Sequence, residues 1–136
     1  MPHLFALQGP GSCGKSDSLI RLFQALQTKY PSATIQARHN GTKDISVIMR
    51  GVKGLVVGIE SQGDPNSRLQ QSLPAFVAAK CDIVFCACRT SGMTVGWVNA
   101  LSPSYSVHFV AQTRATNNHG ATNATTASLL MQQAGI

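Results

Sequence analysis

Near the start of the chain, Gly9-Pro10-Gly11-Ser12-Cys13-Gly14-Lys15-Ser16 separates two stretches of different periodicity. Before it, Leu4–Gln8 is a short apolar run. After it, Lys15–Lys29 carries Leu19, Ile20, Leu22, Phe23 and Leu26 on one helical stripe. A backbone that turns from strand to helix this quickly must curl, and the glycines at 9, 11 and 14 let it do so. The N–H groups of such a curl point inward, and the helix that follows adds the positive end of its dipole. The segment therefore predicts a strand–loop–helix unit with an anion-binding concavity.

The rest of the chain repeats the alternation. Pro31 stops the first helix, and Ala33–Arg38 reads as a second strand. After the turn-rich His39–Asp44, Ile45–Arg50 and Leu55–Glu60 form a hairpin about Gly51-Val52-Lys53-Gly54. Leu55-Val56-Val57-Gly58-Ile59 is nearly all apolar, as a strand buried on both faces should be. A loop over Ser61–Asn66 leads to a helix at Ser67–Ala79, a buried strand at Asp82–Cys88 and a short helix at Met93–Leu101. A last strand at Tyr105–Gln112, a polar loop at Arg114–Asn123 and a helix at Thr125–Ala134 complete the chain. Leu129, Leu130 and Met131 are expected to face inward there, and Trp97 and the phenylalanines to lie in the core. This order predicts one α/β domain over residues 1–136. It is a three-layer sandwich on a mostly parallel sheet of five to six strands, with one antiparallel hairpin strand.

Composition narrows the function classes. Hydrophobic content of 43% with 12% charged residues excludes a disordered chain. No apolar run approaches the ~18–20 residues that cross a bilayer. The opening Met1–Leu7 runs directly into the glycine loop and reads as the first strand rather than a signal peptide, which points to the cytoplasm. Cys81, Cys86 and Cys88 lie in or beside an apolar run and read as reduced core groups, not a metal site. The net charge of +6 comes from a shortage of acids, and the bases are scattered, so nucleic acid is not implied and phosphate-bearing small molecules suffice.

Gly9–Ser16 matches G-x-x-x-x-G-K-[ST] throughout. On that motif and its strand–helix context the chain resembles the P-loop NTPase superfamily. The resemblance implies that Gly9, Pro10, Gly11, Ser12, Cys13 and Gly14 cradle phosphates. It implies that Lys15 meets the β and γ phosphates and that Ser16 binds Mg²⁺. Asp17, directly after the motif, suits the helix dipole but adds negative charge near the phosphates, so its side chain is expected to turn away.

A Mg²⁺-nucleotide site also needs a carboxylate at the end of a neighbouring buried strand. The chain has five acids: Asp17, Asp44, Glu60, Asp64 and Asp82. Asp82 begins a strand, at the wrong edge of a parallel sheet, and Asp44 precedes the hairpin. Glu60 ends the strongest buried run, at the carboxyl edge where such folds bind ligands. Glu60 is therefore the expected metal and catalytic carboxylate, with Asp64 as second metal ligand or water-orienting group. Glu60-Ser61-Gln62-Gly63 also resembles the E-x-x-G of metallochaperone GTPases, which implies a Gly63 contact to the γ phosphate. No acid follows either late strand, where guanine-specific members carry N/T-K-x-D, so ATP is favoured over GTP. Arg114 and Asn117 (or Asn118) are the candidate base contacts.

Arg89 follows a buried strand at the same edge and is a candidate for stabilising phosphoryl charge. Arg38 and His39 end the second strand. His3, His108 and His119 have no evident cluster. Three readings are compatible with this set. One is Mg²⁺-dependent ATP hydrolysis using Lys15, Glu60, Asp64 and Arg89. Another is γ-phosphoryl transfer to a small molecule, with Arg38, Asp44 and Arg89 on the acceptor side. The last is a nucleotide-dependent switch without turnover. So small an NTPase is expected to work with a protein partner or a further copy of itself.

Overall fold

A computed structural model describes residues 2–9, 14–40, 44–65, 67–113 and 119–136. Within them are six strands and four helices, with the second, third and fourth strands consecutive and the rest alternating. They are β1 (His3–Gln8), α1 (Lys15–Lys29), β2 (Thr34–Asn40), β3 (Ile45–Val52), β4 (Leu55–Glu60), α2 (Leu69–Ala78), β5 (Ile83–Cys88), α3 (Met93–Asn99), β6 (Ser106–Ala111) and α4 (His119–Ala134). The strands form one sheet in the order β2-β3-β4-β5-β1-β6. β4, β5, β1 and β6 are parallel neighbours, whereas β3 runs against both β2 and β4. The fold is thus the expected α/β sandwich on a mostly parallel sheet, and β3 is its antiparallel strand.

The two sheet faces carry separate cores. On one, Leu19, Leu22 and Leu26 of α1 and Leu130 of α4 pack on Phe5, Leu7, Ile59 and Phe85. On the other, Leu69, Leu73 and Phe76 of α2 and Val98 of α3 pack on Leu4, Ala6, Val84 and Cys86. All six residues of β5 are buried, which is why its sequence shows no alternation. The β3–β4 hairpin closes through Lys53 and Gly54, both at positive φ (55° and 78°). This is the two-residue turn whose twist matches the flanking strands.

Several details differ from the sequence expectation. α4 begins at His119, so residues 119–123 are helical rather than loop. The side chain of Asn123 is buried, accepting from Gln112 Nε2 (3.1 Å) and donating to Asp17 Oδ2 (2.8 Å). Those tertiary bonds override the weak helix propensity of Gly, Thr and Asn. Residues 114–118 of the expected loop lie outside the described residues. Leu129 is 42% exposed and Phe109 39% exposed, so neither faces a core. Trp97 is only partly buried, against the α2–α3 core. No helix among the described residues is long and apolar enough to cross a membrane.

Candidate functional site

The carboxyl ends of β4, β5, β1 and β6 form one edge, and the N-terminus of α1 opens onto it. Gly14 caps α1 in the left-handed region (φ 100°), and a Cβ there would stand 2.8 Å from Asn123 Oδ1, so the position takes glycine on both counts. Gly9 N–H donates to Cys88 O (3.2 Å), tying the end of β1 to the end of β5. The Lys15 ammonium is buried and donates to Gly9 O at 2.5 Å. It also lies near Cys88: burial pushes that thiol up to about 11, and the Lys15 charge offsets part of the rise. The Ser16 hydroxyl donates to Ser61 O (3.0 Å), just beyond β4. Its proton is thereby spent on protein, leaving oxygen lone pairs able to face a cation. Pro10, Gly11, Ser12, Cys13, Arg114, Asn117 and Asn118 lie outside the described residues.

Asp17 turns from the loop toward α4, held by Arg21 Nε (2.7 Å) and Asn123 Nδ2 (2.8 Å). Burial alone would raise its pKa. The Arg21 and Asn123 hydrogen bonds and the Arg21 charge outweigh that and hold it below the ordinary value. Ser18 Oγ donates to Gln112 Oε1 (2.9 Å) and extends this polar seam.

Glu60 is fully buried at the end of β4. Oε1 accepts from Arg68 Nε (3.0 Å) and Ser72 Oγ (2.5 Å). Oε2 accepts from Arg68 Nη2 (3.1 Å) and Gln62 N (3.0 Å). A carboxylate offers about four acceptor directions, so none is left for a metal or a water proton in this arrangement. Glu60 also sits two strands from β1, because β5 intervenes, a separation of about 9–10 Å. The expected role of Glu60 as a direct metal ligand therefore does not describe this state.

Arg68 continues to Asp44 Oδ1 (3.0 Å), which meets His39 Nε2 (2.8 Å), while Asp44 Oδ2 accepts from Gln62 Nε2 (3.2 Å). Burial raises the Asp44 pKa, but the bonds from Arg68 and Gln62 and the charges of Arg68 and His39 lower it further. Arg38 Nη1 donates to Ser72 (2.7 Å) and Ser46 (3.1 Å). Arg38, His39 and Asp44 thus belong to the Glu60 network, and Arg89 does not. Arg89 Nε instead pairs with Asp64 Oδ1 (2.8 Å) on the open rim, where Asp64 Oδ2 has no partner among the described residues.

Between these groups, residues 61–64 cross the end of β5. At Gly63 a Cβ would lie 2.6 Å from the Ala87 carbonyl oxygen and 2.7 Å from its Cβ. Asp82 lies at the opposite edge, as expected, accepting from Val56 N (2.9 Å).

Sequence reasoning missed Arg68, Ser72 and Gln62. All three lie in the loop and helix after Glu60, with no spacing that marks them. Gln112 was within reach, because it follows a parallel strand at the same edge as Arg89. His3 and His108, expected to be isolated, are together: Nδ1 of His3 is 3.1 Å from Nε2 of His108, and the rings stack at 5.3 Å. The parallel β1–β6 register pairs Phe5 with His108, and His3 lies two residues from Phe5 on the same face. Among the described residues no three His, Cys, Asp or Glu side chains group to hold a metal. No family model, curated protein or solved structure matches the chain.

Proposed function

We propose that this protein is a P-loop ATPase: it binds Mg²⁺ and a nucleoside triphosphate, ATP in preference to GTP, along Gly9–Ser16 and hydrolyses it. The observation that carries this reading is the paired placement of Lys15 and Ser16 at the α1 N-terminus. Lys15 folds onto Gly9 O, and Ser16 spends its proton on Ser61 O. An arriving anion finds an ammonium, the helix dipole and a hydroxyl lone pair on one edge of the sheet. Ser16 and Asp64 fit Mg²⁺ as oxygen donors, and the ion would supply charge neutralisation between the phosphates. Arg89, paired with Asp64, is the group proposed to meet developing phosphoryl charge. Arg114 and Asn117 remain the proposed base contacts. Among the described residues Cys81, Cys86 and Cys88 are buried free thiols, which accords with a reducing compartment, and the cytoplasm is the proposed location.

Calorimetric titration with ATP and GTP, each with and without Mg²⁺, tests the reading, followed by phosphate release under multiple turnover. Micromolar Mg²⁺-dependent ATP binding and acceptor-independent phosphate release are expected. Absence of binding by either nucleotide overturns it. Release of ADP only when a small-molecule acceptor is added would move the assignment to a phosphotransferase.

A further inference from the structure

We infer that Arg68 is a positioning residue that clamps Glu60 in a withdrawn state, and that turnover requires the clamp to open. The inference rests on the ATPase reading and concerns the regulation of that same site. Its ground is the saturation of one carboxylate. Four donors occupy the four acceptor directions of Glu60, and two of them come from a single guanidinium in fork geometry. A group so occupied accepts no proton from an attacking water and enters no metal shell.

The network also supplies a way out. Arg68 sits just before α2 with its side chain partly exposed, and it holds Asp44 as well as Glu60. When it swings outward it keeps a charged partner, so the guanidinium is not stranded. Glu60 retains Ser72 Oγ and Gln62 N, one donor on each oxygen, and gains one open direction on each. Ser72 is the second fastener, itself steadied by Arg38 from the edge strand β2. The clamp is thereby connected to Arg38 through the Ser72 hydrogen bond and to His39 through the ion pairs on Asp44. Both residues are exposed on β2, where a ligand carrying an anionic group has access to them.

The two fasteners give separate tests. Steady-state phosphate release is measured with saturating Mg²⁺ and ATP for wild type, Arg68→Gln, Ser72→Ala, Glu60→Gln and Arg68→Gln combined with Glu60→Gln. Thermal melts and ATP calorimetry accompany each variant. In Arg68→Gln the amide can replace one of the two guanidinium donors to Glu60, and kcat is expected to rise by roughly tenfold, the change when one charge-assisted hydrogen bond no longer has to be broken. KM should stay put. Ser72→Ala, which removes a single donor, should raise kcat by less. The double variant should fall to the Glu60→Gln level, since the gain runs through that carboxylate. A structural role alone lowers kcat with stability and never raises it. Unchanged or reduced kcat in both folded, ATP-binding single variants overturns the clamp alone. A wild-type chain silent in ATP calorimetry overturns the nucleotide reading and the clamp with it. If Arg68→Gln does not fold, Ser72→Ala decides: a rise in its kcat supports the clamp, and no rise overturns it.

Discussion

The crossing of residues 61–64 over β5 gives a sharp test of the architecture. In Gly63→Ala the new methyl would meet the Ala87 carbonyl carbon, its oxygen at 2.6 Å and its Cβ at 2.7 Å, where ordinary contacts begin near 3.4 Å. The opposing atoms are mainly backbone of a fully buried strand held on both sides, so they cannot yield. The loop must lift instead. Overpacking of this kind costs about 1–3 kcal/mol, and an unyielding neighbour argues for the upper half, about 2–3 kcal/mol. For a chain of this length that is a fall in Tm of roughly 6–15 °C. Lifting the loop also carries Gln62 N away from Glu60. Gly96→Ala is the matched control. It lies inside α3 with nothing within 4 Å of the added Cβ, and removing a helical glycine should stabilise by about 0.5–1 kcal/mol. Urea melts followed by circular dichroism read both. Equal stability of Gly63→Ala and wild type would refute the close crossing, and so the route by which the chain leaves β4 at the carboxyl edge of the sheet.

Lys15→Ala should abolish Mg²⁺-dependent ATP binding in calorimetry, and retained affinity would exclude the loop as the phosphate site. Glu60→Gln, which keeps the side-chain shape, should bind ATP normally and stop hydrolysis. Normal turnover would remove Glu60 from the chemistry. Asp17 and Asp44 are held below the ordinary aspartate value of about 3.9 in the folded chain. Their contribution is therefore complete above that pH and is lost as pH falls through the lower folded values. Tm should drop as pH falls below about 4, and Asp44→Asn should show a shallower drop; an identical slope would contradict the assignment. Burial pushes Cys81 and Cys88 up to about 11 and raises Cys86 as well. At pH near 8 a thiol reagent should thus leave all three unmodified until the protein unfolds, and mass spectrometry of the labelled peptides would show otherwise if the core is open.

Much of the scaffold was legible because it follows local rules. The apolar runs at Val56–Ile59 and Ile83–Cys88, the turn glycines and the α1 stripe each name their element within a few residues. The direction of Glu60 at the carboxyl edge followed from the same reading. What fills the lone pairs of Glu60 did not, because Arg68 and Ser72 meet it only once α2 has packed on the sheet. Strand order was equally hidden, since nothing within β5 says that it lies between β1 and β4. The start of α4 was misjudged for a related reason. Asn123 is a poor helix former whose stabilising partners, Asp17 and Gln112, come from distant segments. The imidazole pair of His3 and His108 likewise needs the β1–β6 register before it exists.

The position of β1 inside the sheet has a consequence for biosynthesis. It is made first, yet its partners are Ile83–Cys88 and Ser106–Ala111. Until those segments have left the ribosome, the apolar run Leu4–Leu7 lacks its strand neighbours. The hairpin of β3 and β4 closes locally and can wait. During synthesis the amino-terminal strand is therefore the exposed, sticky element until Ser106–Ala111 has emerged to pair with it.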